Sequence, residues 1–180
     1  MHPAQIPVQQ LLAACEIRRQ RRSGPGGQHR NKVETGIFLE HKPTGVRAEA
    51  TERRSQPKNQ ELAIFRLRLN LALNHRTTNA ASSESVDASS PASDNEIIVS
   101  DLWRSRVRGG KLKVNDQHDD FPALLTEAID RLHDQHWDTR SAAETLGCST
   151  SQLVKFLKQE PRAIAMVNRE RESRGLGKLK

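Results

Sequence analysis

The sequence predicts an α+β fold: a small mixed sheet with a long packing helix, followed by a linker and a small α-helical module of helix-turn-helix type. Three observations predict it. Residues 16–51 show the alternation and turn residues of strands, residues 55–73 carry apolar side chains at helical spacing, and residues 77–95 are rich in Ser, Ala, Asn and Asp. We therefore divide the chain into a first domain over residues 1–76, a disordered linker over 77–95 and a helical module with a basic tail over 96–180.

The strands of the first domain are predicted from alternation and turn chemistry. A strand over about residues 16–21 is expected to lead into a glycine-rich loop. Residues 36–51 are expected to form a hairpin, because Pro43 and Gly45 suit a tight turn and apolar side chains alternate with polar ones after it, at Val46, Ala48 and Ala50.

Residues 55–73 are predicted to form the long helix of the first domain. Ser55 or Gln56 would begin it, because Pro57 is favourable in the first turn of a helix. Its packing face is expected to consist of the apolar residues at three- and four-residue spacing, Leu62, Phe65, Leu69 and Leu73.

The helical module is predicted to contain four helices. The fourth begins at Pro161 and ends near Gly175, and the other three cover, in order, residues 121–135, 139–147 and 149–160. Ser149 and Gln152 match a capping box at the start of the third helix, and Gly147 marks the turn before it. The spacing of small, turn and apolar residues here is typical of a helix-turn-helix.

The formal charge of +7 and the pI of about 9.9 point to a polyanionic partner. Residues 16–76 contain 14 Lys and Arg against 6 Asp and Glu, and residues 161–180 contain 6 against 2, whereas residues 77–160 contain 9 against 14. Two basic regions indicate a surface that contacts phosphates, and the alternative is a solvated basic face. Aromatic residues make up 3% of the chain and tyrosine is absent, which disfavours base-stacking platforms.

Other features bear on compartment and cofactors. Cys15 and Cys148 are too few for a disulfide framework, and no apolar run has the length of a signal peptide or a membrane span. We therefore expect a cytoplasmic monomer with no membrane partner. His133 and His136 are spaced like metal ligands but lack a further ligand pair, so we expect a surface pair, no metal and no cofactor.

The segment Gly-Pro-Gly-Gly-Gln at residues 24–28 is the main candidate for a functional loop. The chain contains no nucleophile elbow, zinc-protease motif or P-loop. Glycines lack a Cβ, so the backbone of this loop can approach another surface closely. Gln28 cannot titrate near neutral pH, and its backbone N–H could instead stabilise a developing negative charge. The alternative is a glycine-rich surface turn.

The order of residues around this loop resembles a known family. The run "GPGGQHRNKVET", a hairpin and the run "ERRSQPKNQELA" follow one another as in the catalytic GGQ domain of class I peptide chain release factors and of codon-independent ribosome-rescue peptidyl-tRNA hydrolases. The resemblance covers about residues 16–74. Pro25 stands where these proteins usually have alanine, and Arg30 where valine is common, and both departures leave the Gly-Gly-Gln tripeptide intact.

The resemblance implies that Gly26, Gly27 and Gln28 are the catalytic residues. They would enter the peptidyl transferase centre and promote attack of water on the peptidyl-tRNA ester, with the large-subunit rRNA and the peptidyl-tRNA of the ribosome as partners. The main-chain N–H of Gln28 would coordinate the reaction while its side chain limits the access of water. Residues of both basic regions are expected to contact RNA or support the loop: Arg18, Arg19, Arg21, Arg22, His29, Arg30, Asn31, Lys32, Arg54, Ser55, Gln56, Lys58, Asn59, Arg169, Arg171, Arg174, Lys178 and Lys180.

Only 15 residues precede the resembling region, so we expect no codon-reading domain and hence release from stalled ribosomes without a stop codon. Rescue hydrolases carry a basic C-terminal extension; here residues 161–180 are basic but follow a helical module that those enzymes lack. Two alternatives stay open: a ribosome-binding or assembly factor that keeps the fold without hydrolysis, and a helix-turn-helix DNA-binding regulator. The regulator is disfavoured because residues 120–160 hold 4 Lys and Arg against 7 Asp and Glu.

Overall fold

The computed structural model of the chain describes residues 1–21, 34–76 and 99–180. The glycine-rich loop and the predicted linker over residues 77–95 lie outside the described residues. No helix in the three described ranges is long and apolar enough to cross a membrane.

The chain divides into two compact units. Unit 1 comprises Met1–His75 and Gln117–Glu127, and unit 2 comprises Arg76–Asp116 and Ala128–Lys180. The division into functional domains at residues 76 and 96 stays a prediction. Each unit has secondary structure of its own, and the two are described separately.

Unit 1 contains a three-stranded sheet. Its strands are β1 (Cys15–Gln20), β2 (Gly36–His41) and β3 (Val46–Ala50), and β2 pairs with both neighbours. The predicted strand and the predicted hairpin are therefore confirmed. The hairpin turn closes where the Gly45 N–H donates to the carbonyl oxygen of His41 at 2.8 Å, with Gly45 at φ +68°.

One detail of the predicted sheet is wrong: both described strand pairs are antiparallel, so these strands do not form a mixed sheet. For β2 and β3 the reason is the length of their connection. Only four residues separate His41 from Val46, and a connection that short can join antiparallel strands but cannot cross over to a parallel neighbour.

The long helix of unit 1, α2 (Gln56–Asn74), packs against β2 and β3, and a short helix that the sequence did not predict, α1 (Val8–Ala13), packs against β1. The packing face predicted for α2 is displaced. Of the four residues assigned to it only Leu69 is buried, and Leu62 packs against the core while partly buried. The fully buried residues of α2 in the core are Ala63, Leu67, Leu71 and Ala72. Because apolar residues lie on most sides of this helix, their spacing alone could not show which face of the helix packs in the core.

The core of unit 1 lies between the sheet and α2. Ile37 and Leu39 of β2 and Ala50 of β3 supply its sheet side, and each is at most 1% exposed. The chain end is fixed by His2, whose Nδ1 accepts from the Ala4 N–H at 3.1 Å while Nε2 donates to the carbonyl oxygen of His75 at 3.0 Å. The first residues of unit 1 are thereby tied to the end of α2.

In its described residues, unit 2 contains short helices and a small hairpin. The predicted helices are confirmed as α4 (Phe121–Asp134), α5 (Thr139–Thr145), α6 (Thr150–Leu157) and α7 (Pro161–Glu172), with α4 divided between the units at residue 127. The sequence did not predict the three elements that precede them: α3 (Asp101–Arg106), β4 (Val107–Arg108) and β5 (Lys111–Leu112).

The helix-turn-helix of unit 2 is formed by α5 and α6. The Asp138 carboxylate caps α5 by accepting from the Ser141 N–H at 3.0 Å. The Ser149 hydroxyl caps α6 by accepting from the Gln152 N–H at 3.3 Å, which confirms the predicted start of that helix. Gly147 takes φ +65° in the turn between them, a conformation that favours glycine.

We expect the Asp130 carboxyl group to make the stability of unit 2 depend on pH. Burial raises the pKa of this carboxyl from 3.8 to about 6, against the opposing effect of the Arg76 guanidinium, while Asp134, Arg131 and His133 contribute smaller effects. The folded state therefore binds this proton more tightly than the unfolded state. The stability it contributes is fully present below about pH 4 and is lost as the pH rises through about 6.

We expect the substitution Asp130→Asn to remove this dependence. The free energy of unfolding of the wild type, minus that of the variant, should fall by about 1–2 kcal/mol from about pH 4 to pH 7, after allowance for solvent screening. Urea unfolding followed by tryptophan fluorescence measures it, since the two tryptophans, Trp103 and Trp137, both lie in unit 2. A difference that does not change with pH would contradict the assignment.

Candidate functional site

The predicted catalytic loop connects β1 to β2. Its tripeptide Gly26-Gly27-Gln28 lies outside the described residues, as do the predicted RNA-binding residues Arg22, His29, Arg30, Asn31 and Lys32. The described residues show both points at which the loop joins the sheet. We call these the loop stems: Gln20 and Arg21 on one side, and Glu34, Thr35 and Gly36 on the other.

The two stems are held close together. Gln20 and Gly36 form the last pair of the β1–β2 ladder. A Cβ at Gly36 would lie 3.0 Å from the carbonyl oxygen of Gln20 and 3.1 Å from Cγ2 of Thr51, so a larger residue would push the stems apart. One residue further along, Arg21 Nε lies 3.3 Å from Oε1 of Glu34 in an exposed ion pair. The loop therefore begins and ends at adjacent positions.

Asn59 joins the second stem to the start of α2. Its Nδ2 donates to the carbonyl oxygen of Thr35 at 2.7 Å and to that of Arg53 at 2.9 Å, and its Oδ1 accepts from the Arg53 N–H at 2.8 Å. The side chain is completely buried. Both the Nδ2 donor and the Oδ1 acceptor of this side chain bond to backbone groups. Asn59 therefore fixes the stem relative to the turn before α2.

This geometry assigns Asn59 a supporting role. The sequence placed it among residues that contact RNA or support the loop, and a side chain with no exposed surface is not available to an RNA ligand. Burial of a polar side chain is favourable only when its groups are hydrogen-bonded, and three bonds to two backbone segments satisfy that condition here.

The sequence that forms this arrangement matches a known family. The model of the RF-1 domain matches residues 5–116, more than half of the chain, and its span includes the loop, both stems and Asn59. The chain belongs to the RF-1 domain family. The resemblance to the GGQ domain of class I release factors that the sequence indicated is thereby confirmed.

Several curated relatives are similar to this RF-1 domain. Peptide chain release factor 1 of Xylella fastidiosa is 33% identical over 122 residues, which are 64% of this chain and 34% of that protein. The mitochondrial peptide chain release factor 1-like protein of Rattus norvegicus is 33% identical over 90 residues, 48% of this chain and 24% of that protein. The chloroplastic peptide chain release factor PrfB1 of Arabidopsis thaliana is 43% identical over 67 residues, 37% of this chain and 14% of that protein. The chain thus spans about a third or less of the length of these relatives.

The arginines of β1 in the RF-1 domain lie on an exposed edge strand. Arg18 pairs with Phe38 across the ladder, and its guanidinium lies 5.9 Å from the centre of that ring. Its Nε also donates to Glu16 at 2.6 Å, which holds the pKa of the Glu16 carboxyl below its ordinary value. Arg19 projects from the opposite face of the strand, so only one of the two neighbours can face a given ligand surface.

The turn before α2 presents the second group of predicted RNA-binding residues of the RF-1 domain. Arg54 and Lys58 are exposed, whereas Ser55 and Gln56 are half-buried. The Ser55 carbonyl oxygen accepts from the Asn59 N–H at 3.1 Å, and its hydroxyl does not cap the helix. Exposed cations at a helix N-terminus, where the helix dipole is positive, form a surface suited to phosphate. Through Asn59 this surface is fixed relative to the loop stem.

The predicted RNA-binding residues of the tail lie in unit 2, and three of them contact other groups of that unit. Arg171 donates to the carbonyl oxygens of Trp137 and Gly177, Arg174 pairs with Glu170 at 2.7 Å, and Lys178 pairs with Glu172 at 2.9 Å. Arg169 and Lys180 are exposed. The tail therefore folds back on α7, which is held in the unit by the buried side chains of Ala163 and Val167.

The two cysteines do not supply a nucleophile. Burial raises the pKa of the Cys148 thiol to about 11 and also raises that of Cys15, so both remain protonated near neutral pH. In the described part of the chain, no three His, Cys, Asp or Glu side chains come together as a metal site.

The hydrogen bonds of Asn59 predict a large loss of stability on substitution. Asn59→Ala would leave the Thr35 and Arg53 backbone groups without these partners, and we expect the free energy of unfolding of unit 1 to fall by about 2–3 kcal/mol. Far-UV circular dichroism during urea unfolding measures the change.

Asn74→Ala is the matched control, because Asn74 lies at the other end of α2, is exposed and makes one local hydrogen bond to the Asn70 carbonyl oxygen. We expect it to change stability by less than about 0.5 kcal/mol. Equal effects of the two substitutions would show that the buried bonds at the stem have no special importance.

Proposed function

We propose that the chain hydrolyses the ester of peptidyl-tRNA on the ribosome and releases nascent chains from stalled ribosomes without recognising a stop codon. One observation carries the proposal: an intact Gly26-Gly27-Gln28 occupies the loop of an RF-1 domain whose stems are fixed by Asn59 and Gly36. The proteins to which this domain is similar are named as peptide chain release factors.

The proposed reaction is attack of water on the ester carbonyl that joins the peptide to its tRNA. The backbone N–H of Gln28 stabilises the negative charge that develops on the carbonyl oxygen, as an oxyanion donor does. The amide side chain cannot accept the proton of water, so the proton acceptor belongs to the RNA and the substrate. Gly26 and Gly27 allow the backbone to approach the ester without a Cβ in the way.

The charge distribution supports a ribosomal partner. Residues 16–76 carry a net charge of +8 and residues 161–180 a net charge of +4. Both regions contain exposed cations, among them Arg54, Lys58 and Arg169. The basic segment over residues 161–180 supports binding to RNA phosphates that does not depend on a codon.

The direct test is peptide release from ribosomes that carry peptidyl-tRNA on an mRNA without a stop codon. We expect the protein to release peptide from these complexes at about the rate found when a stop codon is present, and to leave free peptidyl-tRNA largely intact. Release only with a stop codon would contradict codon independence. Ribosome binding without any release would instead identify a binding or assembly factor.

A substitution in the tripeptide tests the assignment of the loop. Gly27→Ala should lower the single-turnover release rate by about 10²-fold or more, because a Cβ obstructs the backbone path, while affinity for the ribosome changes by less than about twofold. Gly177→Ala is the control, since a Cβ there would meet no atom within 4 Å. A Gly27→Ala variant with the wild-type release rate would remove the tripeptide from the mechanism.

A further inference from the structure

Unit 2 contains a two-stranded hairpin with cations at its tip. In this hairpin, β4 and β5 pair Arg108 directly with Lys111, and Val107 with Leu112. The turn consists of Gly109 and Gly110, both with positive φ, as a type I′ turn requires. Because side chains alternate along a strand, Arg108 and Lys111 share the face opposite to the half-buried Val107 and Leu112.

The hairpin and the end of α3 concentrate positive charge. Residues 104–113 contain five Lys and Arg and no Asp or Glu. Arg108, Lys111 and Lys113 are exposed, and no ion pair joins any of them to another described residue. The guanidinium of Arg104 lies 3.4 Å from Asp101, whose side chain is fully exposed. The cations at the tip are therefore available to an external anion.

The pairing of Arg108 with Lys111 is unfavourable within the chain itself. Like charges directly opposite each other in an antiparallel pair destabilise it, because their Cβ atoms are only about 4.5–5.5 Å apart. An anion bound over this face would remove the repulsion. This placement of two cations is thus better suited to a ligand than to the stability of the hairpin.

The hairpin is held in place by contacts with the helix-turn-helix. Trp103 of α3 is 1% exposed, its Nε1 donates to the carbonyl oxygen of Leu146 at 2.8 Å, and its ring meets that of Phe156 edge-on at 5.9 Å. α3 leads directly into β4, and β5 packs against α6. The position of the cations is therefore fixed by the core of unit 2.

We propose that the β4–β5 hairpin is an RNA-binding surface that contacts the phosphate backbone through Arg108, Lys111 and Lys113. A set of exposed cations without a neighbouring recognition pocket fits regularly spaced phosphates. Residues 77–160 carry more acidic than basic side chains, and the hairpin gives this part of the chain a site of its own on RNA. That the RNA is ribosomal rests on the proposed function.

RNA is favoured over a membrane by the apolar residues of the surface. The exposed large apolar side chains of the described residues are Met1, Val8 and Ile17, and none of them belongs to unit 2. A segment that binds the interface of a membrane combines its cations with apolar side chains that enter the lipid, and the hairpin offers none that is exposed. RNA is therefore the favoured ligand, and anionic lipid vesicles serve as the alternative ligand in the test.

The test compares two variants of the full chain that each lose three positive charges from unit 2. The hairpin variant carries Arg108→Gln, Lys111→Gln and Lys113→Gln. The control variant carries substitutions of exposed cations on α5 and α6 or next to α6: Arg140→Gln, Lys155→Gln and Lys158→Gln. Circular dichroism and tryptophan fluorescence check that both variants fold like the wild type. The probe is a fluorescein-labelled RNA hairpin, measured by anisotropy between about 50 and 200 mM salt.

We expect the hairpin variant to bind the RNA about tenfold or more weakly. The slope of log affinity against log salt should become shallower by roughly 2–3, since each lost phosphate contact contributes about 0.9. The control variant should change affinity by less than about threefold. Equal losses in the two variants would overturn the proposal, because they would show an effect of net charge alone. Binding to anionic phosphatidylglycerol vesicles that exceeds binding to the RNA, and is lost in the hairpin variant, would also overturn it.

The outcome can be separated from that of the proposed function. If the protein releases no peptide from ribosomes but the hairpin variant alone loses RNA affinity, the proposed hydrolysis fails and the hairpin remains an RNA-binding surface. If the wild type releases peptide and the hairpin variant binds RNA and ribosomes like the wild type, the hairpin proposal fails while the hydrolysis stands.

Discussion

The three hydrogen bonds of the buried Asn59 side chain are the constraint on which the candidate site depends. They connect the stem of the loop at Thr35 with the turn at Arg53, two segments that are far apart in sequence and that carry the predicted catalytic and RNA-contacting residues. A buried amide must satisfy its donors and acceptor, so the two segments cannot separate without a cost of a few kcal/mol. Gly36 completes the constraint from the other side, where there is no space for a side chain between Gln20 and Thr51.

This constraint separates the role of the fold, which positions the loop, from the role of the tripeptide in the proposed reaction. The tripeptide carries no group that titrates near neutral pH, so the proposed activity depends on where the loop backbone lies when the ribosome completes the site. A sheet and a helix that are tied together at the stem supply a defined starting position. In the proposed function, the cations of unit 1 and the β4–β5 surface of unit 2 supply affinity. This affinity is separable from the reaction because phosphate contacts position a ligand without taking part in bond breaking.

The sequence predicted the elements that have a simple local pattern. The alternation at Val46, Ala48 and Ala50 identified the hairpin, and Ser149 identified the start of α6. It did not predict the face of α2, because Leu73 and Leu71 are equally apolar and only the approach of the sheet distinguishes them. The basic hairpin was missed because residues 77–160 are acidic on average, which concealed five cations within residues 104–113. The buried bonds of Asn59 depend on tertiary contacts between distant segments and have no local signature.

The most direct test of the central claim is the single-turnover rate of peptide release by Asn59→Ala at saturating protein, under conditions in which the variant is folded. Asn74→Ala on the same helix serves as the control. If the buried bonds position the loop, Asn59→Ala should release peptide about tenfold or more slowly than the control while binding ribosomes within about twofold of it, since small displacements of a reacting group carry large costs in rate. A folded Asn59→Ala variant that releases peptide at the rate of the control would contradict the account.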